Sequence, residues 1–320
     1  MSRALVTGAA GFIGSHLAER LLSDGIAVRA VDRLSAYYDP AIKQANLEPL
    51  LEHGEFELIE GDLTELEPSR VLEDVEVVFH LAAQPGVRAS WGREFEIYVN
   101  DNVLGTQRLL EGAREVELRR FVYASSSSIY GDAERFPTTE ETKPAPISPY
   151  GVTKLAAEHL CSLYARSFGV PAVSLRYFTI FGPRQRPDMA FQRFIAAVLD
   201  GEPITVYGDG LQERDFTYVD DAVEATIAAG KGGPPGAIYN VAGGNNATVR
   251  EVIATLGRLA GVDPLVEHEP AAVGDARKTG ASTQRARSEL GYSPSVSLEE
   301  GLARQLEAER ARRASAGGGR

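Results

Sequence analysis

The sequence predicts a doubly wound α/β fold, in which a parallel sheet covered by helices is followed by a smaller C-terminal α+β region. Three observations carry this expectation. Short apolar runs alternate with amphipathic segments through the first 177 residues; a glycine cluster stands where the first strand turns into the first helix; and beyond about residue 177 shorter strands mix with helices between Gly and Pro punctuation. Ala4–Thr7 opens as a buried strand. Phe12, Ile13, Leu17, Leu21 and Leu22 then recur at helical spacing until Gly25. Ala27–Asp32, Phe56–Glu60, Val75–Ala82 and Arg120–Ser125 read as further strands, with helical periodicity between them, as in Asn102–Val116. A near-continuous apolar run such as Val75–Phe79 suits a strand buried on both faces.

In the second half, Ile204–Tyr207, Phe216–Val219, Ala237–Val241 and Leu265–His268 read as strands. Phe191–Leu199, Ala222–Ala229, Thr248–Ala260 and Leu298–Arg310 read as helices. The expected organisation is therefore residues 1–177 as a nucleotide-binding domain and 178–313 as a second region, with the chain crossing back to the first near 205–240. Residues 314–320, small and Gly-rich, are expected to be a disordered tail.

Composition removes several function classes. The 320 residues carry 33 Lys+Arg against 45 Asp+Glu, a net charge of −12, which argues against nucleic acid as a partner. No apolar run approaches the roughly 18 residues of a membrane span, and the N-terminus lacks a signal-peptide pattern. The single cysteine, Cys161, excludes an internal disulfide framework and reads as a core residue; a cytoplasmic protein is expected. His16, His53, His80, His159 and His268 have no metal-ligand spacing, so no metal is expected, and His80 and His159 read as ordinary buried or helix-face residues.

Gly8-Ala-Ala-Gly11-Phe12-Ile13-Gly14 is the strongest local signal. Glycines at that turn let backbone N–H groups approach a pyrophosphate, which the positive end of the following helix stabilises. Asp32 closes the second strand 18 residues beyond Gly14. An acid there accepts the ribose hydroxyls of NAD and repels the extra phosphate of NADP, so NAD is expected; Arg33 beside it is a residue type that accommodates that phosphate.

Ser148-Pro149-Tyr150-Gly-Val-Thr-Lys154 opens a helix, with Ser148 as N-cap and Pro149 in the first turn. Tyr150 and Lys154 are i and i+4, on one helical face. An isolated pair of this kind reads as a solvated surface. Behind a dinucleotide fingerprint it reads as chemistry: the Lys154 ammonium, with a positive nicotinamide, is expected to lower the phenol pKa and make Tyr150 a general base. Ser125–Ser128, at the carboxyl end of the fifth strand, lies on the edge where open α/β sheets bind ligands. Asp220 and Asp221 are expected to cap the helix that begins at Ala222.

The spacing Gly-x-x-Gly-x-x-Gly, followed by Asp62-Leu63, His80-Leu81-Ala82-Ala83 and Asn102-Val-Leu-Gly-Thr106, resembles the extended short-chain dehydrogenases/reductases, a Rossmann-type family. The resemblance covers roughly residues 3 to 305. It implies that Gly8, Gly11, Phe12, Ile13, Gly14, Asp32, Arg33, Asp62, Leu63, Leu81, Ala82, Ala83, Asn102, Tyr150, Lys154 and Tyr177 bind tightly held NAD. It also implies a catalytic Ser126–Tyr150–Lys154 triad. Dimerisation through a four-helix bundle built from Asn102–Val116 and Pro149–Ser167 follows from the resemblance as well.

Leu175–Pro183, Gly208–Gly210 and Arg214–Asp221 are similar to the nucleotide-sugar epimerases and dehydratases of that branch. This implies a UDP-sugar substrate held by Arg88, Ser126, Ser127, Ser128, Tyr150, Thr179, Arg186, Val206, Arg214 and Arg277. Dehydratases of the family place an Asp-Glu pair where Ser127 and Ser128 stand, and decarboxylases keep a Glu at Ser128, so 4-epimerisation is the expected reaction. Three stretches, Ser35–Lys43, Ala82–Arg88 and Arg186–Ala190, look most like UDP-glucuronate 4-epimerases. Thr179 stands where the hexose enzymes have Asn, leaving a hydroxyl where a sugar carboxylate would lie. For Arg88 and Arg186, plain surface solubility stays an open alternative. UDP-glucose 4-epimerase is the nearest rival, and a non-catalytic cofactor sensor is disfavoured because Ser126, Tyr150 and Lys154 are all present.

Overall fold

The computed structural model describes residues 1–271 and 274–317. The strands are β1 (Arg3–Thr7), β2 (Ala27–Asp32), β3 (Phe56–Glu60), β4 (Val77–His80), β5 (Arg120–Ser126), β6 (Ala172–Tyr177), β7 (Ile180–Phe181), β8 (Ile204–Tyr207), β9 (Glu213–Tyr218), β10 (Ile238–Val241), β11 (Asn245–Thr248) and β12 (Val266–Glu269). The helices are α1 (Phe12–Ser23), α2 (Pro40–Leu51), α3 (Pro68–Leu72), α4 (Phe95–Tyr98), α5 (Gly105–Arg114), α6 (Pro149–Phe168), α7 (Ala190–Asp200), α8 (Val219–Lys231), α9 (Val249–Ala260), α10 (Gln284–Leu290) and α11 (Leu298–Gly317).

The central sheet has seven strands in the order β10-β6-β5-β4-β1-β2-β3, each pair parallel. It is the Rossmann-type doubly wound sheet that the alternation of runs predicts. The chain reverses direction of winding between β1 and β4, so the carboxyl ends of these strands open a crevice at the switch point. Val77–His80 is buried throughout, which explains its apolar run.

β6 is an element that the periodicity argument does not assign; it pairs with β5 from Phe121↔Ala172 to Ser126↔Tyr177. β10 returns from the second half to the edge of this sheet, with Ile238 opposite Ser174. The remaining strands form a β11-β9-β7 sheet and a β12-β8 pair. One apolar core runs from Val6 and Phe79 through Phe181, Phe191 and Phe216 to Leu302 and Leu306, joining the two halves.

Three expectations need correction. α8 begins at Val219, not Ala222, and neither acid caps it: Asp221 instead accepts from the backbone N–H groups of Ser295 (2.9 Å) and Val296 (3.2 Å), pinning a distant loop. Residues 314–317 continue α11, because Arg312-Arg313-Ala314-Ser315-Ala316 contains good helix formers; the other three tail residues lie outside the described residues. Residues 99–104 form one π-helical stretch ahead of α5. Among the described residues no helix is long and apolar enough to cross a membrane.

Candidate active site

The glycine turn fits a dinucleotide on steric grounds. A Cβ on Gly14 would lie 2.1 Å from the Gly8 carbonyl oxygen, so only glycine lets helix α1 start this close to β1. Gly8 has φ +72°, and a Cβ there would stand 2.9 Å from the Ala82 nitrogen, closing the approach between β1 and β4. Phe12 and Ile13 then place the first turn of α1 against the crevice, whose lining includes Gly8, Gly11, Asp32, Leu63, Ala82 and Tyr177. The Asp32 carboxylate accepts from Ala10 N (3.1 Å) and Leu34 N (2.9 Å), which fixes its plane and leaves lone pairs for two hydroxyls. A cradle of bare backbone below an oriented acid is what a dinucleotide needs.

Beneath the crevice, hydrogen bonding orders the β4 exit. The Thr106 hydroxyl donates to the Asn102 carbonyl (2.7 Å), so the His80 Nε2–H donates to Thr106 (2.9 Å). Nδ1 then accepts from the Thr7 hydroxyl (2.8 Å), which in turn accepts from Ala82 N (3.1 Å). Acceptance at Nδ1 requires a neutral imidazole, and burial agrees, lowering the His80 pKa to about 3. The chain sets Leu81, Ala82 and Ala83 at the crevice wall.

Asn102 departs from the expected role. Its amide accepts from Gln84 N (2.7 Å) and donates to Gln84 O (3.1 Å) and Thr153 Oγ1 (3.0 Å). It is buried and braces the β4 exit against α6, with both amide hydrogens spent on the scaffold and its side chain outside the crevice lining.

Ser148 caps α6, accepting from Gly151 N at 3.1 Å, with Pro149 in the first turn. This places Tyr150 and Lys154 in the crevice. Ser126, at the end of β5, accepts from Ser128 N (3.1 Å) and is close enough to the Tyr150 phenol to pull its pKa downward. Lys154 is buried with its ammonium 4.5 Å from the centroid of the Tyr123 ring. Burial draws its pKa down to about 7, while the Cys161 thiol and the Glu158 carboxylate on the same helix act in the opposite direction. Tyr150 differs from expectation: burial raises the phenol pKa, and the pull downward comes from Ser126 and the charge of Arg186 rather than from Lys154. The reason is that a buried phenolate loses its water, so the protein alone does not activate it.

Behind these residues, Glu158 accepts from Ser125 Oγ (2.6 Å) and from Arg176 Nε (3.1 Å) and Nη2 (2.7 Å). Arg176 also donates to Tyr130 Oη at 2.6 Å. The ion pair is 3% and 2% exposed, and it holds β5, β6 and α6 in register under the catalytic side chains.

Of the substrate candidates, Tyr150 and Arg186 line the crevice, and the others lie outside its lining. Ser127 and Ser128 follow Ser126 directly, and Thr179 lies two residues past Tyr177, its register partner, so all three sit on one sheet edge. Arg186 lines the crevice with Tyr150 and chelates Asp188 through Nε (3.0 Å) and Nη2 (2.9 Å). Arg214 pairs with Asp275 at 2.6 Å, and Arg88 stands 3.6 Å from the same carboxylate and 4.0 Å from the centroid of the Tyr207 ring. Arg277 chelates Asp209 through both terminal nitrogens (2.7 and 2.9 Å). Val206 does not reach the rim with its side chain, which is packed in the core because β8 turns that face inward.

The crevice also holds residues that sequence reasoning did not single out. Lys43 on α2 is buried, donates to Ser35 O (3.0 Å) and Oγ (2.9 Å), and lies 5.0 Å from the centroid of the Tyr38 ring. Tyr37, Tyr38 and Asp101 line the same opening. Their stretch resembled a family motif, but nothing in its spacing shows which side chains turn inward.

Comparison with known proteins agrees with this geometry. Residues 4–242 match the model of the NAD dependent epimerase/dehydratase family. The chain is 41% identical to the crystal structure of UDP-glucuronic acid 4-epimerase from Bacillus cereus in complex with UDP-glucuronic acid and NAD; the match covers 97% of this chain and 99% of that one with a TM-score of 0.94. It is 39% identical over 94% of both chains to UDP-glucuronate 4-epimerase of Thermodesulfobacterium geofontis. It is 43% identical to an uncharacterized UDP-glucose epimerase of Bacillus subtilis, over 94% of this chain and 96% of the relative. The protein belongs to the NAD-dependent epimerase/dehydratase family.

Proposed function

We propose that the protein is an NAD-dependent UDP-glucuronate 4-epimerase, which interconverts UDP-glucuronate and UDP-galacturonate. The observation that carries the reading is Tyr150 and Lys154 together in the crevice, with Ser126 at the carboxyl edge of β5 pulling the phenol pKa downward, half-buried Arg186 beside them, and hydroxyls at Ser127 and Ser128 in place of acids. Likeness to the Bacillus cereus enzyme in its UDP-glucuronic acid complex supports it.

Tyr150 accepts the proton of the C4 hydroxyl and gives it back, while the Ser126 hydroxyl bonds the same sugar oxygen. NAD, when bound, supplies a reversible hydride acceptor and the positive charge that offsets the raised phenol pKa. Lys154 orients the cofactor ribose, and Arg186 adds positive charge near the phenol. Between the two proton transfers the substrate is a 4-keto sugar, which turns about its diphosphate linkage to present its other face. In a uronate this ketone is a β-keto acid. Ser127, Ser128 and Thr179 hold its carboxylate by neutral hydrogen bonds, where loss of carbon dioxide is slow. Arg186 adds positive potential, and Arg214, Arg277 and Arg88 take the diphosphate and nucleotide end.

Exposed apolar residues on the outer face support a homodimer through a four-helix bundle of residues 102–116 and 149–167: Leu104 follows Val99 in the π-helical stretch and its extension, and Val152 and Leu163 lie on α6. A single buried thiol and an NAD-dependent chemistry fit the cytoplasm.

Incubating the purified protein with UDP-glucuronate and with UDP-glucose and separating the products by chromatography tests the reading. Conversion of UDP-glucuronate to its C4 epimer is expected; a UDP-pentose, or turnover of UDP-glucose alone, sinks it. The second outcome would favour epimerisation of UDP-glucose, and the Bacillus subtilis relative is named a UDP-glucose epimerase.

A further inference from the structure

Arg33 poses a question that the sequence leaves open. It follows the ribose-binding acid Asp32, and an arginine in that place is the residue type that takes the 2′-phosphate of NADP. In the structure three of its five N–H donors are already committed. Nη1 and Nη2 donate to the two oxygens of Asp101 at 2.8 and 2.6 Å, a bidentate pair, and Nη1 also donates to Asp62 Oδ2 at 2.8 Å.

The clamp is itself anchored. Asp62 Oδ1 accepts from Thr64 N (2.8 Å) and Thr64 Oγ1 (2.7 Å), so that carboxylate cannot turn away with the arginine. Asp101 is largely buried and lies in the π-helical stretch, next to Asn102, whose side chain is bolted to Gln84 and Thr153. π-Helical turns re-aim single side chains and are frequent at functional sites. Here adjacent residues point to different tasks: Asp101 to the crevice, Asn102 to the scaffold.

Charge reinforces the geometry. Asp32, Asp62 and Asp101 face Arg33 and Lys43 at the adenosine end of the crevice, three negative groups against two positive. Lys43 is engaged by Ser35, and Arg33 by two of the three acids. A doubly charged 2′-phosphate would enter a net negative field and find Arg33 taken.

We propose that Asp101, acting with Asp62, is a cofactor-specificity residue: by chelating Arg33 it withholds the one guanidinium positioned to receive a 2′-phosphate, so the chain selects NAD although it carries an NADP-type arginine. Asp101 is a positioning residue in this scheme, since it acts through Arg33. The inference rests on the family's use of NAD and not on which sugar is turned over, and it is tested by nucleotide binding alone.

The test titrates full-length protein, freed of co-purifying nucleotide, with NAD and with NADP by calorimetry. Asp101→Asn frees one face of the fork, and about a tenfold gain in NADP affinity is expected, the scale of one charge-assisted hydrogen bond, with NAD affinity changed less than about threefold. The Asp101→Asn/Arg33→Ala double variant is expected to lose that gain, a reversal that mere loosening of the fold would not produce. An unchanged ratio of NADP to NAD affinity in Asp101→Asn, or a gain that survives in the double variant, overturns the proposal. Arg33→Ala alone supplies a check that does not depend on the folding of Asp101→Asn. Withheld, Arg33 contributes nothing to NADP, so its removal leaves the weak NADP affinity where it was; a tenfold loss shows that Arg33 already serves the phosphate and refutes the clamp.

Discussion

The wall of the cofactor crevice and the wall of arginines outside its lining hold their charges differently. On the cofactor side, polar groups are buried and multiply bonded: Asp32 by two backbone amides, His80 by two threonines, Glu158 by Ser125 and Arg176. Among the candidate substrate arginines, Arg277 rests on Asp209 with its side chain 62% exposed, and Arg214 rests on Asp275 and Glu213 O with its side chain 13% exposed. The difference teaches which wall is built in advance and which is completed by its ligand. A buried network cannot rearrange without leaving charges unsatisfied, whereas an exposed pair exchanges one anion for another at little cost.

The largest effect is expected where the built wall is broken. Arg176→Met leaves Glu158 buried without its cation and should lower unfolding free energy by about 3–5 kcal/mol, read from denaturant midpoints. Adding Glu158→Gln should recover part of it; no recovery would show that the pair is not what holds β5 to α6. Tyr150→Phe is expected to reduce kcat by roughly a thousandfold while leaving nucleotide binding intact, because it removes only the proton acceptor. A fall in NAD affinity of similar size would assign Tyr150 to binding instead.

Acid should dismantle the same wall. His80 and His16 have folded pKa values of about 3 and about 4, both lowered chiefly by burial from the ordinary value near 6.5. The unfolded chain therefore takes up these protons first. Stability is expected to fall as pH drops below about 6.5, by about 1.4 kcal/mol per pH unit for each histidine, until its folded pKa is reached. His16→Gln should halve that slope between pH 6 and 4, as measured by thermal unfolding; an unchanged slope would place the acid sensitivity elsewhere.

The exchangeable wall should respond in KM. Arg214→Ala is expected to raise KM for the UDP-sugar by about tenfold with kcat within about threefold, the loss of one charge-assisted contact. Arg277→Ala, at a largely exposed pair, should change KM by less than about threefold. Equal effects of the two substitutions would erase the graded order drawn along this wall.

Much of the cofactor wall is legible in the sequence because its signals are local. Gly8, Gly11 and Gly14 are read from one turn, and Tyr150 and Lys154 from one helix whose cap and first proline stand beside them. Residues whose task depends on a partner distant in sequence are not legible. Asn102 stands in a family motif, yet whether it touches cofactor or scaffold depends on Gln84 and Thr153. Val206 sits among substrate candidates by position, but the pleat of β8 turns it into the core. Asp221 looks like a helix cap and instead ties down Ser295 and Val296. Lys43 gives no sign that α2 carries it under the crevice rim.

By itself, the sequence determined the winding of the sheet, the dinucleotide turn and the order of the catalytic side chains, because hydrophobic period, glycine sterics and helical spacing act over a few residues. Only the tertiary structure decided the charge state of the site. Burial raises the Tyr150 phenol and lowers Lys154 towards neutrality, and it takes a fold to bring Asp62 and Asp101 onto Arg33. Solvation and ion pairing depend on what surrounds a group in space, and a residue's neighbours along the chain do not specify that.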